Sequence, residues 1–469
     1  MVQDTSVNDV LEFPISKRIV PNRLIKASLT EGLADPNQSQ PNQHHWTLYS
    51  TWCKGGYSMI FTGNVMIDRE HRESVRNVVL DEDSHLQDFS QWADAIHGST
   101  ITDNNHDNDN KIKPLAIMQI SHPGRQCPMA CTRMEITPVS CTSGTKARLA
   151  LPGLLGQLCS YLLIRPAREL AQTDELATMV QRYAKTAQLA EQAGWDGVEI
   201  HGAHGYLLSQ FLSPTANHRT DDYGGTAKGR RKLLLQVIAA VRQVTSPTFV
   251  VGVKINTKDR STEGVDRETE CLDLIQELCD LEQLDFIELS GGGFEDAMFI
   301  QSPPPTTTQQ QQQQQGGGWL FGSFAQRMHE TIQWKKKSPK IILTGGFRTK
   351  TGMEHALRTG LCDMIGLGRP SIANPMFAND VLEKDQAEAN LVSLQVPIFK
   401  QLLESVLNNL WYQRQLYRLS IGKSPDPNLS YLYALVLFFS VYIWDFGFRG
   451  HAAYKEGRVN HTHPETKND

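Results

Sequence analysis

The sequence has few cysteines and little net charge, and each shortage excludes a class of protein. Eight cysteines in 469 residues do not build a disulfide scaffold. Cys127, Cys131 and Cys141 are clustered, but no CxxC partner or downstream histidine pair completes a zinc pattern, so we predict no metal site. The formal net charge of −5 gives no reason to expect a nucleic acid partner. The N-terminus lacks the order of a secretory signal, and we expect a cytoplasmic protein.

Long apolar runs are also missing, with one borderline exception near the C-terminus. Residues 429–444 form sixteen positions without a charge. A spanning helix needs about 20 apolar residues, and at least about 17. A helix packed on the rest of the protein or on a partner is the first interpretation. Membrane attachment is the second, because Tyr431, Tyr433 and Trp444 lie near the ends of the run, as in an aromatic belt.

Eight short apolar or β-branched runs alternate for the most part with helical patterns. These runs lie at residues 24–28, 57–62, 115–120, 197–200, 249–255, 285–289, 340–344 and 363–367. The alternation predicts an α/β fold, a (β/α)8 TIM barrel with loop insertions and a C-terminal helical extension. A doubly wound sheet is the main rival. It is disfavoured because no glycine-rich fingerprint follows the first run.

The predicted barrel domain covers residues 1–395, and a helical extension covers residues 396–469. Residues 302–318 are rich in Pro, Thr, Gln and Gly, which predicts a disordered insertion without chemistry. Residues 100–113 and 127–164 have no clear period and are expected to be irregular loops. A helix is predicted at residues 396–417, ahead of the apolar segment 429–444.

Three chemically active side chains follow the fourth run, at the predicted C-terminal mouth of the barrel. His201 and His204 can donate hydrogen bonds to a carbonyl or an anion, and Tyr206 can supply a proton. For an isolated HxxH, a helix N-terminus with two incidental histidines is the simpler interpretation. A metal site is weaker still, since zinc usually takes histidines at i and i+4 with a nearby Glu.

Glycine-rich turns follow the last two runs of the barrel. Gly345 and Gly346 come after the seventh run, and Gly368 and Arg369 come after the eighth. Glycines let backbone N–H groups approach a phosphate, and arginine adds a charged fork. Two tight turns without a ligand are the alternative. The position after strands seven and eight favours a phosphate site.

Five groups of motifs in barrel order together resemble the old yellow enzyme family of FMN-dependent ene-reductases, also called NADH:flavin oxidoreductases. The motifs are NRLIKASLTEG, MQISHPGRQ, EIHGAHGYLLSQFLSP with NHRTDDYGG, LTGGFRT and DMIGLGRP. The resemblance covers roughly residues 22–375. It implies a non-covalent FMN over the barrel mouth, with NAD(P)H as hydride donor.

The resemblance also assigns roles to individual positions. The residues that it implies as cofactor-binding are Ala27, Ser28, Leu29, Thr30, Asn64, Gln119, Lys254, Gly346, Gly368 and Arg369. Residues 27–30 are expected along the flavin ring, with Thr30 at the O4/N5 edge. Gln119 is expected on the pyrimidine side of the flavin, and Lys254 near its N1 and O2 atoms. Gly346, Gly368 and Arg369 are expected at the FMN phosphate. Lys254 stands where many members have arginine, and Ser28 replaces a frequent proline.

The implied reaction is a ping-pong reduction of an α,β-unsaturated carbonyl or nitro compound. His201 and His204 are expected to grip the electron-withdrawing oxygen, hydride goes to the β-carbon, and Tyr206 protonates the α-carbon. A dienoyl reductase or demethylase with an iron–sulfur cluster is a second enzyme class, but no run of cysteines follows the eighth apolar run to ligate a cluster, and Cys362 is alone. A flavin-binding scaffold or membrane-tethered interaction protein is the non-enzymatic alternative. The natural substrate, the choice between NADH and NADPH, and the oligomeric state stay open.

Overall fold

Eight parallel strands form a closed barrel in the computed structural model. It describes residues 5–98, 113–128, 136–147, 164–257, 267–291, 322–392 and 400–430, with residues 432, 433 and 436. The strands are β1 (Leu24–Lys26), β2 (Met59–Met66), β3 (Leu115–Ser121), β4 (Gly197–Gly202), β5 (Val250–Asn256), β6 (Phe286–Ser290), β7 (Lys340–Thr344) and β8 (Met364–Leu367). Each pairs with the next, and β8 pairs with β1. This closure confirms the predicted (β/α)8 barrel and excludes the doubly wound sheet.

Strand β2 is longer than the sequence indicated. Gly63 and Asn64 resemble a turn signal, and we expected the strand to end before them. Instead the pairing of β2 with β3 shifts register between Phe61 and Asn64, and Asn64 pairs opposite Gln119. The short strand Val78–Val79 pairs in parallel with the end of β2, at Val65 and Met66. Asn64 therefore lies inside a strand, because tertiary pairing outweighs the local turn preference.

Helices cover the outside of the barrel. They are α1 (Gln43–Cys53), α2 (Leu86–His97), α3 (Thr173–Gln192), α4 (Leu207–Leu212), α5 (Ala227–Val244), α6 (Arg267–Leu281), α7 (Gly322–Thr331), α8 (Lys350–Arg358), α9 (Arg369–Ala373), α10 (Phe377–Glu383) and α11 (Lys400–Ser420). Helix α3 shows why they form, since its buried positions recur at helical spacing. Two short strand pairs, Leu11–Glu12 with Ile19–Val20 and Val139–Ser140 with Arg168–Glu169, lie outside the barrel.

The barrel interior changes from apolar to polar along the strands. Alternate side chains point inward in a barrel strand. An apolar cluster fills the lower part, including Phe61 and Phe286, whose ring centroids are 5.5 Å apart. One step further up, the buried side chains are polar or charged, including Gln119, Glu199 and Lys254. The buried polar groups therefore lie towards the C-terminal mouth, where the sequence pattern predicts the candidate site.

The C-terminal helix packs back onto the barrel domain. Helix α11 corresponds to the helix predicted at residues 396–417 and contacts α1 and α9. Trp411 is buried, and its Nε1 donates to the carbonyl oxygen of Leu429 over 3.1 Å. Within the described residues, no helix combines the length and apolarity needed to cross a membrane. The predicted insertion 302–318 and most of segment 429–444 lie outside the described residues, and the domain division at residue 395 stays a prediction.

Candidate active site

A tight turn after β4 carries two of the three predicted active side chains. His204 and Gly205 both adopt left-handed backbone conformations, with φ of 57° and 76°. The side-chain amide of Gln126 donates to the carbonyl oxygen of His204 (2.9 Å), and Asn256 Oδ1 accepts from its backbone N–H (3.3 Å). A Cβ added at Gly205 would lie 2.4 Å from Gln126 Nε2. Gln126, from the HPGRQ motif, thus fixes the turn, and the positive φ at position 205 favours glycine there.

The structure brings His201, His204 and Tyr206 together. The His201 ring lies 4.6 Å from the Tyr206 ring at 87° and 5.1 Å from the His204 ring. His201 Nδ1 is buried and has no hydrogen-bond partner in the described part of the chain. His204 Nε2 lies 2.9 Å from Ser290 Oγ. Two imidazoles and a phenol therefore converge at one end of the barrel.

Both histidines are held in the neutral form. Burial lowers the pKa of His201 well below its ordinary value, and the His204 charge would lower it further. Burial, followed by the positive charge of Lys254, lowers the pKa of His204 to about 3. Neutral imidazoles each keep one N–H to donate, so the pair can polarise an oxygen without itself carrying charge.

A carboxylate that the sequence interpretation missed contacts Tyr206. The Tyr206 hydroxyl donates to Glu73, and Asn64 Nδ2 donates both to the Tyr206 oxygen (2.9 Å) and to Glu73 Oε1 (2.8 Å). Thr30 Oγ1 also donates to Glu73 Oε1, over 3.4 Å. Burial raises the pKa of Tyr206 well above its usual value, and the Glu73 charge raises it further. The one sequence signal for Glu73 is an ionisable residue in the loop after a barrel strand.

A buried charge cluster holds the loop that carries Glu73. His71 Nδ1 donates to Asp68 Oδ2 (2.8 Å), Arg182 donates to the same oxygen, and His122 Nε2 lies 3.6 Å from it. Burial alone raises the pKa of Asp68, but hydrogen bonds from His122 and His71 lower it below its usual range. The donor atoms of Asp68, His71 and His122 lie within 4.8 Å of one another. Because Arg182 already neutralises Asp68, we assign the cluster to fixing residues 67–77.

Beneath the histidines lies a layer of buried polar groups. Glu199 Oε2 accepts from Gln119 Nε2 (2.5 Å) and from Ser28 Oγ (3.2 Å). Lys254 Nζ donates to Glu288 Oε1 over 2.6 Å. Burial and then the Glu288 charge raise the pKa of Glu199, which keeps that carboxyl group neutral. The charge of Lys254 is thus shared with Glu288, a partner that the sequence interpretation did not include.

The loop after β1 connects several of the predicted cofactor positions. The Ala27 N–H donates to the carbonyl oxygen of Leu367 at the end of β8 (3.1 Å). The Leu29 side chain lies 3.6 Å from where a Cβ on Gly368 would stand, which brings this loop beside the glycine turn after β8. A Cβ at Gly63 would lie 2.5 Å from the carbonyl oxygen of Leu29, so glycine lets the loop pack closely on β2.

Two arginines lie beside the glycine turns after β7 and β8. Gly345 and Gly346 have φ of 131° and 85°. Burial lowers the pKa of Arg369; nearby Tyr412 opposes this, and the positive charge of Arg348 lowers it further. Neither arginine forms an ion pair with an acidic side chain of the described residues. Two guanidinium groups without a carboxylate offer positive charge to an anion such as a phosphate. Arg348, next in the LTGGFRT motif, was missed in the sequence interpretation.

Comparison with known proteins identifies the family. The family model described as "NADH:flavin oxidoreductase / NADH oxidase family" matches residues 13–388. The chain belongs to this family. It is 32% identical over 386 residues to the NADH-dependent flavin oxidoreductase iliE of Hypocrea jecorina (strain QM6a), covering 81% of this chain and 89% of that protein. It is 24% identical to an NADPH dehydrogenase of Bacillus pumilus (strain SAFR-032), covering 77% and 90%.

Solved structures share the fold. The old yellow enzyme homologue of Zymomonas mobilis superimposes with a TM-score of 0.62 at 23% identity, covering 84% of this chain and 98% of that one. Morphinone reductase in complex with tetrahydroNAD gives a TM-score of 0.60 at 21% identity, covering 81% and 90%. The family membership confirms the resemblance inferred from the motifs.

The family implies non-covalent FMN with NAD(P)H as electron donor, and the residues present fit that cofactor. Arg348 and Arg369 offer uncompensated positive charge to a phosphate. Asn64 Oδ1 and Glu199 Oε1 are buried polar atoms without a hydrogen-bond partner in the described structure, so the mouth has unsatisfied polar atoms for a polar ring edge. The individual contacts proposed for Ala27 to Thr30, Asn64, Gln119 and Lys254 stay predictions.

Proposed function

We propose that this flavin oxidoreductase is an ene-reductase that reduces the C=C bond of α,β-unsaturated carbonyl or nitro compounds with NAD(P)H. The observation that carries the proposal is the convergence of His201, His204 and Tyr206 at the barrel mouth. The group combines two neutral hydrogen-bond donors with one proton donor. Reducing a polarised alkene needs that set of groups.

The two histidines supply the electrophilic half of the reaction. A bound FMN would supply the hydride chemistry between NAD(P)H and the β-carbon of the alkene. His201 and His204 would hold the carbonyl or nitro oxygen, where negative charge builds in the transition state. Since burial keeps both rings neutral, their hydrogen bonds become stronger as that charge develops.

Tyr206 supplies the proton. Its ring packs edge-on against His201, so the phenol lies next to the group that holds the substrate oxygen. A phenol with a raised pKa stays protonated until a strongly basic α-carbon forms. NAD(P)H and the alkene would both have to occupy the position next to His201 and Tyr206. We therefore infer a ping-pong order, in which one leaves before the other binds.

The proposal is tested by separating the two half-reactions under anaerobic conditions. The purified flavoprotein should be bleached by NADH or NADPH, and 2-cyclohexenone should then restore the oxidised flavin absorbance. Saturated cyclohexanone is the control and should restore nothing. Rapid bleaching followed by no reoxidation with any enone or nitroalkene would overturn the proposal and favour a flavoprotein with another acceptor.

A further inference from the structure

Tyr206 has a second partner that the reduction of an alkene does not by itself explain. Its hydroxyl donates to the Glu73 carboxylate, and Asn64 bridges the two through one amide nitrogen, at 2.9 Å from the phenol and 2.8 Å from the carboxylate. Among the described residues these are the hydrogen-bond partners of the phenol. An amide does not release a proton at neutral pH, so Glu73 is the one of the two that can exchange protons with Tyr206.

Glu73 also lies between the phenol and the outside of the protein. Tyr206 is buried at 8% exposure, whereas Glu73 is partly exposed on residues 67–77. That segment is fixed at one end by Asp68, which accepts from His71 and Arg182, and at the other by the strand Val78–Val79. The segment that carries Glu73 is therefore fixed at both ends, and hydrogen bonds from Asn64 and Thr30 hold the carboxyl group itself.

A phenol that gives up its proton at each turnover must recover one before the next. A tyrosinate in this buried position is strongly disfavoured, because burial and the Glu73 charge both oppose a negative charge on it. Direct access of water to a phenol that is 8% exposed is limited. A partly exposed carboxyl group in hydrogen-bond contact offers a shorter route.

We propose that Glu73 is the relay that returns a proton to Tyr206 after each alkene reduction, an inference that rests on the proposed function. In the first step the Tyr206 O–H bond breaks as the C–H bond at the α-carbon forms. The Glu73 carboxylate takes a proton from hydronium in the solvent, which leaves water. It then passes that proton to the phenolate oxygen and becomes a carboxylate again. The hydride comes from the flavin reaction, so the relay moves protons only.

A relay and a purely structural role of Glu73 would affect different turnovers. Tyr206 starts protonated, so the first alkene reduction needs no relay, and only later turnovers do. If Glu73 merely held the phenol in place, its loss would slow the first turnover as well. Glu73→Gln keeps the size of the side chain and an acceptor oxygen but cannot carry the proton.

The experiment compares Glu73→Gln and Glu73→Asp with wild type, using Glu70→Gln as a matched control on the exposed part of the same loop. Flavin content and anaerobic reduction by NAD(P)H should be within about twofold of wild type in all proteins. In Glu73→Gln, a single turnover with 2-cyclohexenone should be at least as fast as in wild type, because the Glu73 charge no longer raises the pKa of Tyr206. Steady-state turnover should fall about 100-fold, the lower end of the range for one proton-transfer group. The variant Glu73→Asp should keep part of the steady-state rate that Glu73→Gln loses. Added formate should restore part of the steady-state rate of Glu73→Ala.

Three results would overturn the relay. Equal steady-state rates for Glu73→Gln and wild type would show that water reprotonates Tyr206 directly. A first turnover slowed as much as the steady state, or a failure of Glu73→Asp and formate to restore any activity, would show that Glu73 only positions the phenol. If wild type and Glu70→Gln also fail to reduce enones, the proposed function fails instead, so the two failures are distinguishable.

Discussion

The side-chain amide of Gln126 donates a 2.9 Å hydrogen bond to the carbonyl oxygen of His204. The two residues are far apart in sequence, in motifs that follow β3 and β4. The bond helps to hold His204 in a left-handed conformation, and a side chain on Gly205 would displace the Gln126 amide that forms it. The position of His204 thus depends on a neighbouring loop.

Gly205→Ala should therefore damage the site without damaging the fold. Its new Cβ would stand 2.4 Å from Gln126 Nε2, at a φ of 76° that alanine rarely adopts. We expect the affinity for the phenolic ligand p-hydroxybenzaldehyde to fall by about tenfold, the equivalent of ~1.4 kcal/mol. The variant should retain FMN. Gly194→Ala is the matched control, because Gly194 has a φ of 84° but nothing within 4 Å of its Cβ position. Equal phenol affinities in the two variants would contradict this explanation.

Tyr206→Phe tests the proton donor. Reduction of the flavin by NAD(P)H should be unchanged, because the phenol does not take part in it. The reoxidation of reduced enzyme by an enone should slow by roughly 10²- to 10⁴-fold, the usual contribution of one general acid. Stopped-flow absorbance resolves both steps. Loss of flavin reduction with intact enone reduction would show that the role is assigned wrongly.

Arg348→Ala and Arg369→Ala should each weaken FMN binding. Hydrogen bonds to charged groups contribute about 1.5–3 kcal/mol, so the dissociation constant should rise by about 10- to 100-fold. Arg358→Ala is the control, because Arg358 is exposed on helix α8 and pairs with Glu354. Quenching of free FMN fluorescence by the apoprotein gives the constants. If only Arg369→Ala raised the dissociation constant of FMN, Arg348 would not be a residue of the phosphate site.

The buried histidines predict a loss of stability in mild acid. Burial, followed by the charge of neighbouring His44, lowers the pKa of His45 from 6.5 to about 3. Between these values the unfolded chain binds more protons than the folded one, so stability falls as the pH drops below 6.5 and continues to fall towards pH 3. Each such histidine should cost ~2 kcal/mol between pH 7 and pH 5.

Urea unfolding at the two pH values measures this loss. His45→Gln should lose less stability than wild type between pH 7 and pH 5, by about the contribution of one histidine. His218→Gln, at an exposed position, should keep the wild-type difference. An unchanged pH difference in His45→Gln would mean that His45 is not held neutral in the folded protein.

The sequence predicted the barrel and the central side chains because both depend on local patterns. Apolar runs at strand length identify the strands, and a polar residue just after a strand points to the barrel mouth, as for His201. The register shift of β2 before Asn64 could not be predicted, because only the pairing with β3 reveals it. The place of Glu73 next to Tyr206 could not be predicted either. Its loop is fixed by the contact of Asp68 with Arg182, and these two residues are 114 positions apart.

The most direct test of the central claim is an absorbance titration of the purified protein with p-hydroxybenzaldehyde. We predict a flavin spectrum and, on titration, a long-wavelength charge-transfer band, because His201 and His204 would hold the phenolate oxygen over the cofactor. The double variant His201→Ala/His204→Ala should keep the flavin spectrum and lose the band. A flavin spectrum without the band in wild type would contradict the assigned role of the two histidines.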